Sequence, residues 1–259
     1  LTMRWENQTY SAADEVTLRI DSSGFTLHQF QFEGPLGIFS ATGQLGFDNS
    51  MSLEFELDRF RIGRVSKRFF PTWDLDGVLA ARGQLNGTFA SPVIDMAGDV
   101  SEFEFEGESY GNLEGIISYR DRVLLVESAE LDNRYFHASA SGTFPVDLSF
   151  ESKSDSVSTR VLSTEPLTGR LEASGDNLDP INRFLPQTIE SIRGNFALKA
   201  GVTGTPQNPL FFGEASLRQG TIKTIEIINP LEDVEIDVAL RHDTVVVRKA
   251  SAVVRDKNR

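Results

Sequence analysis

Alternation of apolar and acidic residues leaves this chain little choice but the β-strand. In SLEFELD, Leu53, Phe55 and Leu57 alternate with Glu54, Glu56 and Asp58, and Phe103 and Phe105 repeat the pattern in EFEFEGE. DVEIDVAL places Val234, Ile236, Val238 and Leu240 in the same way, and TVVVRK places Val245 and Val247. Successive side chains of a strand point to opposite faces, so each run has one oily and one wet side. Turn signals separate the runs: Asp21-Ser22-Ser23-Gly24, Asp48-Asn49-Ser50, Asp121-Arg122, Asp132-Asn133, Gly175-Asp176-Asn177 and Arg241-His242-Asp243. Counting in this way gives roughly sixteen strands of mostly six to twelve residues, joined by short connections as a meander.

Long helical patterns are absent, which excludes a βαβ architecture. Two short stretches read as helix. In RIGRVSKRFF, Ile62, Val65 and Phe69 recur at i, i+3 and i+7, with Arg61, Arg64 and Arg68 on a neighbouring face. In LDPINRFLP, Asp179 supplies an N-cap and Pro180 fits the first helical position; Pro186 stops the helix after Ile181, Phe184 and Leu185.

Each helix is followed by the same succession, first LDGVLAARGQLNGTFASP and then IRGNFALKAGVTGTPQNP. Gly77 matches Gly194, Leu79 Phe196, Ala81 Leu198, Gly83 Ala200, Leu85 Val202, Gly87 Gly204 and Pro92 Pro209, all at 204 − 87 = 117 residues. Downstream, MAGDVSEFEF and FFGEASLRQG align on Gly98 and Gly213, an offset reduced to 213 − 98 = 115. Repetition on this scale implies an elongated protein that grows by adding strands to one edge. The expected organisation is all-β: a single elongated, curled β-ribbon over residues 1–259, with repeat units of about 53–170 and, incomplete, 171–259.

The formal charge of −13 and pI near 4.7 argue against nucleic acid as a partner, because phosphate binding draws on Lys and Arg. With no cysteine, disulfide and thiol chemistry are excluded. The chain opens LTMRWENQTY and contains no apolar run of membrane-spanning length, so it reads as a soluble piece of something longer, with whatever targeting or membrane segment the whole protein has lying elsewhere.

The strongest catalytic pattern is GESYG, Gly107 to Gly111, which places Ser109 as in a nucleophile elbow. That device needs a helix after the turn and a histidine base, whereas NLEGIISYRDRVLLV continues as strand, so a hairpin is expected. His28, His137 and His242 lack metal-ligand spacing and read as strand residues, and Asp74 and Asp76 read as part of a wet face. No catalytic residue, metal ligand or cofactor is expected. The cations Arg59, Arg61, Arg64, Lys67 and Arg68 read as a solvated helix face, with lipid phosphate or a partner's acidic edge as alternatives.

The oily faces remain. The candidates are Phe30, Phe32, Leu53, Phe55, Leu57, Leu79, Leu85, Phe103 and Phe105, followed by Phe196, Leu198, Val202, Val234, Ile236, Val238, Val245 and Val247. They either fill a closed sandwich or solenoid core or line a trough open to a long, thin apolar ligand such as an acyl chain. Phe outnumbers Tyr and Trp by 19 to 4 and 2, an aromatic surface mostly without polar handles.

The pattern G-x-L-x-x-x-x-x-L-x-G-T-x-x-x-P, represented by GVLAARGQLNGTFASP and GNFALKAGVTGTPQNP, resembles the repeats of TamB-type translocation and assembly module proteins in the AsmA-like group. DNLDPINRFLPQTIESIRG is similar to that family's short-helix segment, and the resemblance covers residues 52 to about 254. It implies a periplasmic protein held to the inner membrane by an N-terminal helix, with a taco-like β-groove that conducts phospholipid toward the outer membrane. It also implies a role in outer-membrane protein assembly through a TamA-type partner. The matching positions Gly77, Gly87, Pro92, Gly194, Gly204 and Pro209 are structural turns. Three readings compete with the conduit: a scaffold pairing with extended outer-membrane strands, a closed structural solenoid, and a hydrolase built on Ser109.

Overall fold

The computed structural model describes residues 1–5, 8–12, 15–69, 73–150, 160–178, 188–225 and 229–254. The strands are β1 (Thr2–Trp5), β2 (Gln8–Ala12), β3 (Thr17–Ile20), β4 (Gly24–Gly34), β5 (Gly37–Gly46), β6 (Ser50–Arg61), β7 (Leu75–Thr88) and β8 (Pro92–Phe105). They continue as β9 (Glu108–Arg120), β10 (Val123–Asp132), β11 (Phe136–Pro145), β12 (Thr168–Asn177), β13 (Ile189–Gly204), β14 (Pro209–Thr224), β15 (Leu231–Arg241) and β16 (Thr244–Val254). All sixteen belong to one antiparallel sheet that follows chain order and is not closed into a barrel. β2 and β3 share one edge of β4, the first along Phe32–Glu33 and the second along Phe25–Gln29. By packing, the chain divides into two compact units: Leu1–Ala129 with Thr143–Ser163, and Glu130–Gly142 with Thr164–Arg259.

Helix α1 (Gly63–Phe69) forms where the spacing predicts one. The Ser66 hydroxyl donates to the carbonyls of Gly63 and Leu75, and Lys67 pairs with Asp74 at 3.0 Å, so the helix is pinned to the start of β7. The second expected helix, around Asp179 to Pro186, lies outside the described residues.

Most turn signals fall between strands. The carboxylates of Asp21 and Asp48 each accept a hydroxyl and a backbone N–H, from Ser23 and Ser50 respectively, and these bonds hold both pKa values below the usual carboxylate range. Asp121 and Arg122, at φ 52° and 63°, make a two-residue hairpin turn of the kind whose twist suits antiparallel strands. Gly175-Asp176-Asn177 is different: it lies inside β12 as a bulge, because Gly175 lets the backbone run against Phe136 while Asp176 N–H donates to the Tyr135 carbonyl. The turn signal Arg241-His242-Asp243 holds: His242, read also as a strand residue, sits in the β15–β16 turn at φ 58°.

The 117-residue repeat is a repeat of hairpin geometry. Gly87↔Pro92 closes β7–β8 and Gly204↔Pro209 closes β13–β14. In each loop the threonine after the glycine exchanges backbone hydrogen bonds with the residue before the proline, Thr88 with Ser91 and Thr205 with Asn208, and its Oγ1 accepts the same N–H at 3.1 Å. Both hairpins are interrupted at the same depth by a bulge, with Gly77 opposite Glu102 and Phe103, and Gly194 opposite Gln219 and Gly220. Glu102 and Gln219 take the left-handed conformation the bulge requires, at φ 53° and 51°.

The ladders also correct the expected shortening to 115. Ala81↔Gly98 corresponds to Leu198↔Ala215, so the counterpart of Gly98 is Ala215 at 215 − 98 = 117. Gly213 lies opposite Ala200, one row away; the two glycines are unrelated in position. The offset changes only in the next strand, where Val100↔Leu113 corresponds to Leu217↔Ile236 and 236 − 113 = 123, owing to a longer β14–β15 connection.

A side chain at Gly194 would occupy a glycine-only conformation at φ 130° and place its Cβ 2.6 Å from the Gly220 Cα. Gly194→Ala is expected to cost about 3 kcal/mol in urea unfolding. Gly107→Ala, at a turn tip with nothing within 4 Å, is expected to cost only about 1 kcal/mol.

Candidate functional site

Residues paired across an antiparallel ladder share a face, so the registers assign every candidate a side. In the first unit one row runs Leu27–Gly43–Leu53–Leu85–Ile94–Tyr119, and the next Phe30–Ala41–Phe55–Gly83–Met96–Ile117. Beside them run Phe32–Phe39–Leu57–Ala81–Gly98–Gly115 and Phe60–Leu79–Val100–Leu113, and Phe103 and Phe105 extend the face beyond the bulge. The opposite face carries Thr42–Glu54–Gln84–Asp95, with ion pairs Arg82–Glu56 and Arg120–Asp95 at 3.0 Å. All nine candidates from Phe30 to Phe105 therefore lie on the apolar side of this unit.

The second unit repeats the arrangement. Its apolar rows are Phe196–Leu217–Ile236–Ala250, Ala173–Leu198–Ala215–Val238–Val247, Leu171–Ala200–Gly213–Leu240–Val245 and Gly169–Val202–Phe211, with Val234 opposite Gly220. Its polar side includes Ser174–Ala197–Ser216–Asp237–Lys249, where Arg218 holds both Asp237 oxygens at 2.8 Å. The eight candidates from Phe196 to Val247 share the apolar side.

Burial divides these residues. Phe32 (1% exposed) sits in a closed cluster with Tyr10 and Leu36, and Val234 (2%) in another with Ile192 and Leu217. Most of the others are half-buried, and Val245 and Val247 on β16 are 64% and 60% exposed. The Phe55 ring lies down over Gly83, where a Cβ would stand 2.5 Å from its Cζ. The faces are thus sealed locally and accessible elsewhere.

One segment crosses the first unit's apolar face at the end of β9. Val146 N–H donates to the Arg122 carbonyl, Leu148 N–H to the Tyr119 hydroxyl and Phe150 N–H to the Phe89 carbonyl, each at 2.9 Å. The Phe89 and Phe150 rings meet edge-on with centroids 5.9 Å apart. Tyr119 beneath this strap is 2% exposed; burial pushes its phenol pKa up, opposed by the Leu148 hydrogen bond.

Sequence reasoning passed over Leu27, Phe39, Phe60, Ile94, Met96, Val100, Ile117 and Leu217, because bulges beside Leu27 and Phe60, and glycine or alanine near most of the others, break the oily periodicity. For Leu217 a signal existed, since Val100 stands 117 residues before it.

Ser109 is the second residue of β9, exposed and opposite Glu104, with Glu108 between it and the two-residue turn Glu106–Gly107. Strand follows it where a nucleophile elbow has a helix. His28 lies in β4; His137 lies in β11 with Nδ1 2.7 Å from Asp132. Among the described residues no group of three His, Asp or Glu is placed to hold a metal. No family model, curated protein or solved structure matches this chain.

Tyr119→Phe leaves the Leu148 amide without its acceptor and is expected to cost about 1–2 kcal/mol, with faster hydrogen exchange at that amide. Because the folded phenol's pKa is raised, its stability contribution is complete below the ordinary tyrosine value of about 10 and lost as pH rises through the folded value. The variant's unfolding free energy should lack that alkaline loss.

Proposed function

We propose that the apolar faces bind acyl chains and that the chain is a segment of a hydrophobic groove conducting phospholipid between membranes. The observation that carries this reading is the register. Whole rows of apolar side chains continue from strand to strand on one side of each unit, mostly half-buried, while carboxylates and ion pairs occupy the other side. A contiguous, incompletely covered apolar surface is a binding surface by ordinary surface statistics. The mechanism is passive: chains slide along a matching surface while headgroups stay in water. With the resemblance to TamB-type, AsmA-like proteins, this reading places the protein in the periplasm, held to the inner membrane by a segment elsewhere, with a TamA-type outer-membrane partner and a part in outer-membrane protein assembly. It assigns no catalytic role to any residue.

The competing reading is a scaffold that takes up extended outer-membrane segments as added strands.

Native mass spectrometry with lipid extraction, run beside Phe55→Glu/Phe105→Glu, tests the first reading. Phospholipid should accompany the parent and be lost from the folded variant. A folded parent that carries no lipid and takes none from vesicles overturns the conduit. Lipid-independent capture of an extended peptide, competed by edge-pairing peptides, would then put the scaffold in its place.

A further inference from the structure

The cations at the bulged end of β6 occupy a shaped place. Arg61 N–H donates to the Leu36 carbonyl and Ile62 N–H to that of Gly77, which fixes the entry into α1. With the helix pinned through Ser66 and Lys67, the side chains of Arg61, Arg64 and Lys67 line a recess of about 300 Å³. Its other walls come from the β4–β5 turn at Pro35 and Leu36 and from Asp74, Leu75 and Asp76 ahead of and in β7.

The charges there do not cancel. Lys67 is matched by Asp74 at 3.0 Å. Asp76 is engaged by its neighbour's backbone, its Oδ1 accepting the Gly77 N–H at 2.7 Å, and its carboxylate lies over Gly63, where a Cβ would be 2.8 Å away. Among the described residues neither Arg61 nor Arg64 has an ion-pair partner. Three cations against the carboxylates of Asp74 and Asp76 leave the recess with one net positive charge in a chain of formal charge −13, and the two guanidiniums without ion-pair partners make a local site for an oxyanion, their planar forks suiting phosphate. The apolar end of the recess is equally defined. Leu36 is buried with Tyr10 and Phe32, and Leu75 pairs with Phe105 on the apolar face.

We infer that the Arg61–Arg64 recess binds a phosphate group where the first unit's apolar face ends. The source is either the headgroup of a lipid whose chain lies on that face, which rests on the reading proposed above, or free phosphate, which does not.

The whole chain is exposed separately to phosphatidylglycerol and phosphatidylcholine vesicles, and bound lipid is extracted and counted. Inorganic phosphate is titrated in parallel while the Gly63 and Leu75 amides are followed by NMR. For a headgroup site, the parent should take up the anionic lipid about fivefold in excess, because choline neutralises the phosphate of phosphatidylcholine, and Arg61→Gln/Arg64→Gln should bring the ratio to about one. Arg64→Gln alone, on an exposed helix face, should fall between and serves if the double variant is unstable. No uptake of either lipid, with phosphate-induced shifts that vanish in the variant, supports the free-phosphate source while the lipid reading fails. A preference that survives the substitutions, or no preference together with no phosphate shift, overturns the inference even if phosphatidylcholine is carried.

Discussion

The hydrogen-bonded register between neighbouring strands is the constraint on which the other features rest. All sixteen strands belong to one sheet, so a strand's N–H and C=O groups find their partners in the strands beside it. A slip of one residue would turn every side chain of a strand to the other face. Bulges manage this parity. Along β8 the apolar side takes Met96, Gly98 and Val100, then Phe103 and Phe105, because Glu102 is the extra residue that shifts even to odd. Without it the two phenylalanines would stand among the carboxylates. Gln219 does the same work in β14, keeping Gly220 opposite Val234 on the side that Leu217 shares with Ile236.

The same register sorts charge from oil. Exposed pairs such as Arg82–Glu56 add little stability individually. Their place is more informative, since concentrating acidic residues on one side solvates it and leaves the other side to apolar contact. Where that apolar side meets Arg61 and Arg64, oil and positive charge adjoin, an arrangement suited to an amphiphile rather than to a hydrocarbon alone.

Much of this was legible beforehand. Alternation in Ser52–Asp58 and Glu102–Glu108 named the strands and their oily residues, and the recurring Gly-Thr turn revealed two equivalent hairpins. The failures have physical causes. Gly98 and Gly213 were matched because both are glycines before an alternating run, yet their ladder partners differ. Gly175-Asp176-Asn177 has the composition of a turn but serves a bulge, and Tyr119 gave no sign of the strap that buries it, since Leu148 lies 148 − 119 = 29 residues away.

What the sequence determined by itself is which side chains of one strand stand together, because Cβ alternation is local and needs no partner. It likewise determined where the chain turns, through Gly, Asp, Asn and Pro. Tertiary structure alone decided that these sides coincide from strand to strand, that Phe32 and Val234 are sealed while Phe55 and Phe105 stay half-buried, and that Arg61 and Arg64 line a charged recess bordered by Leu36 and Leu75. Those outcomes depend on pairing registers and left-handed bulge residues such as Glu102, set by contacts between strands and invisible to periodicity within one.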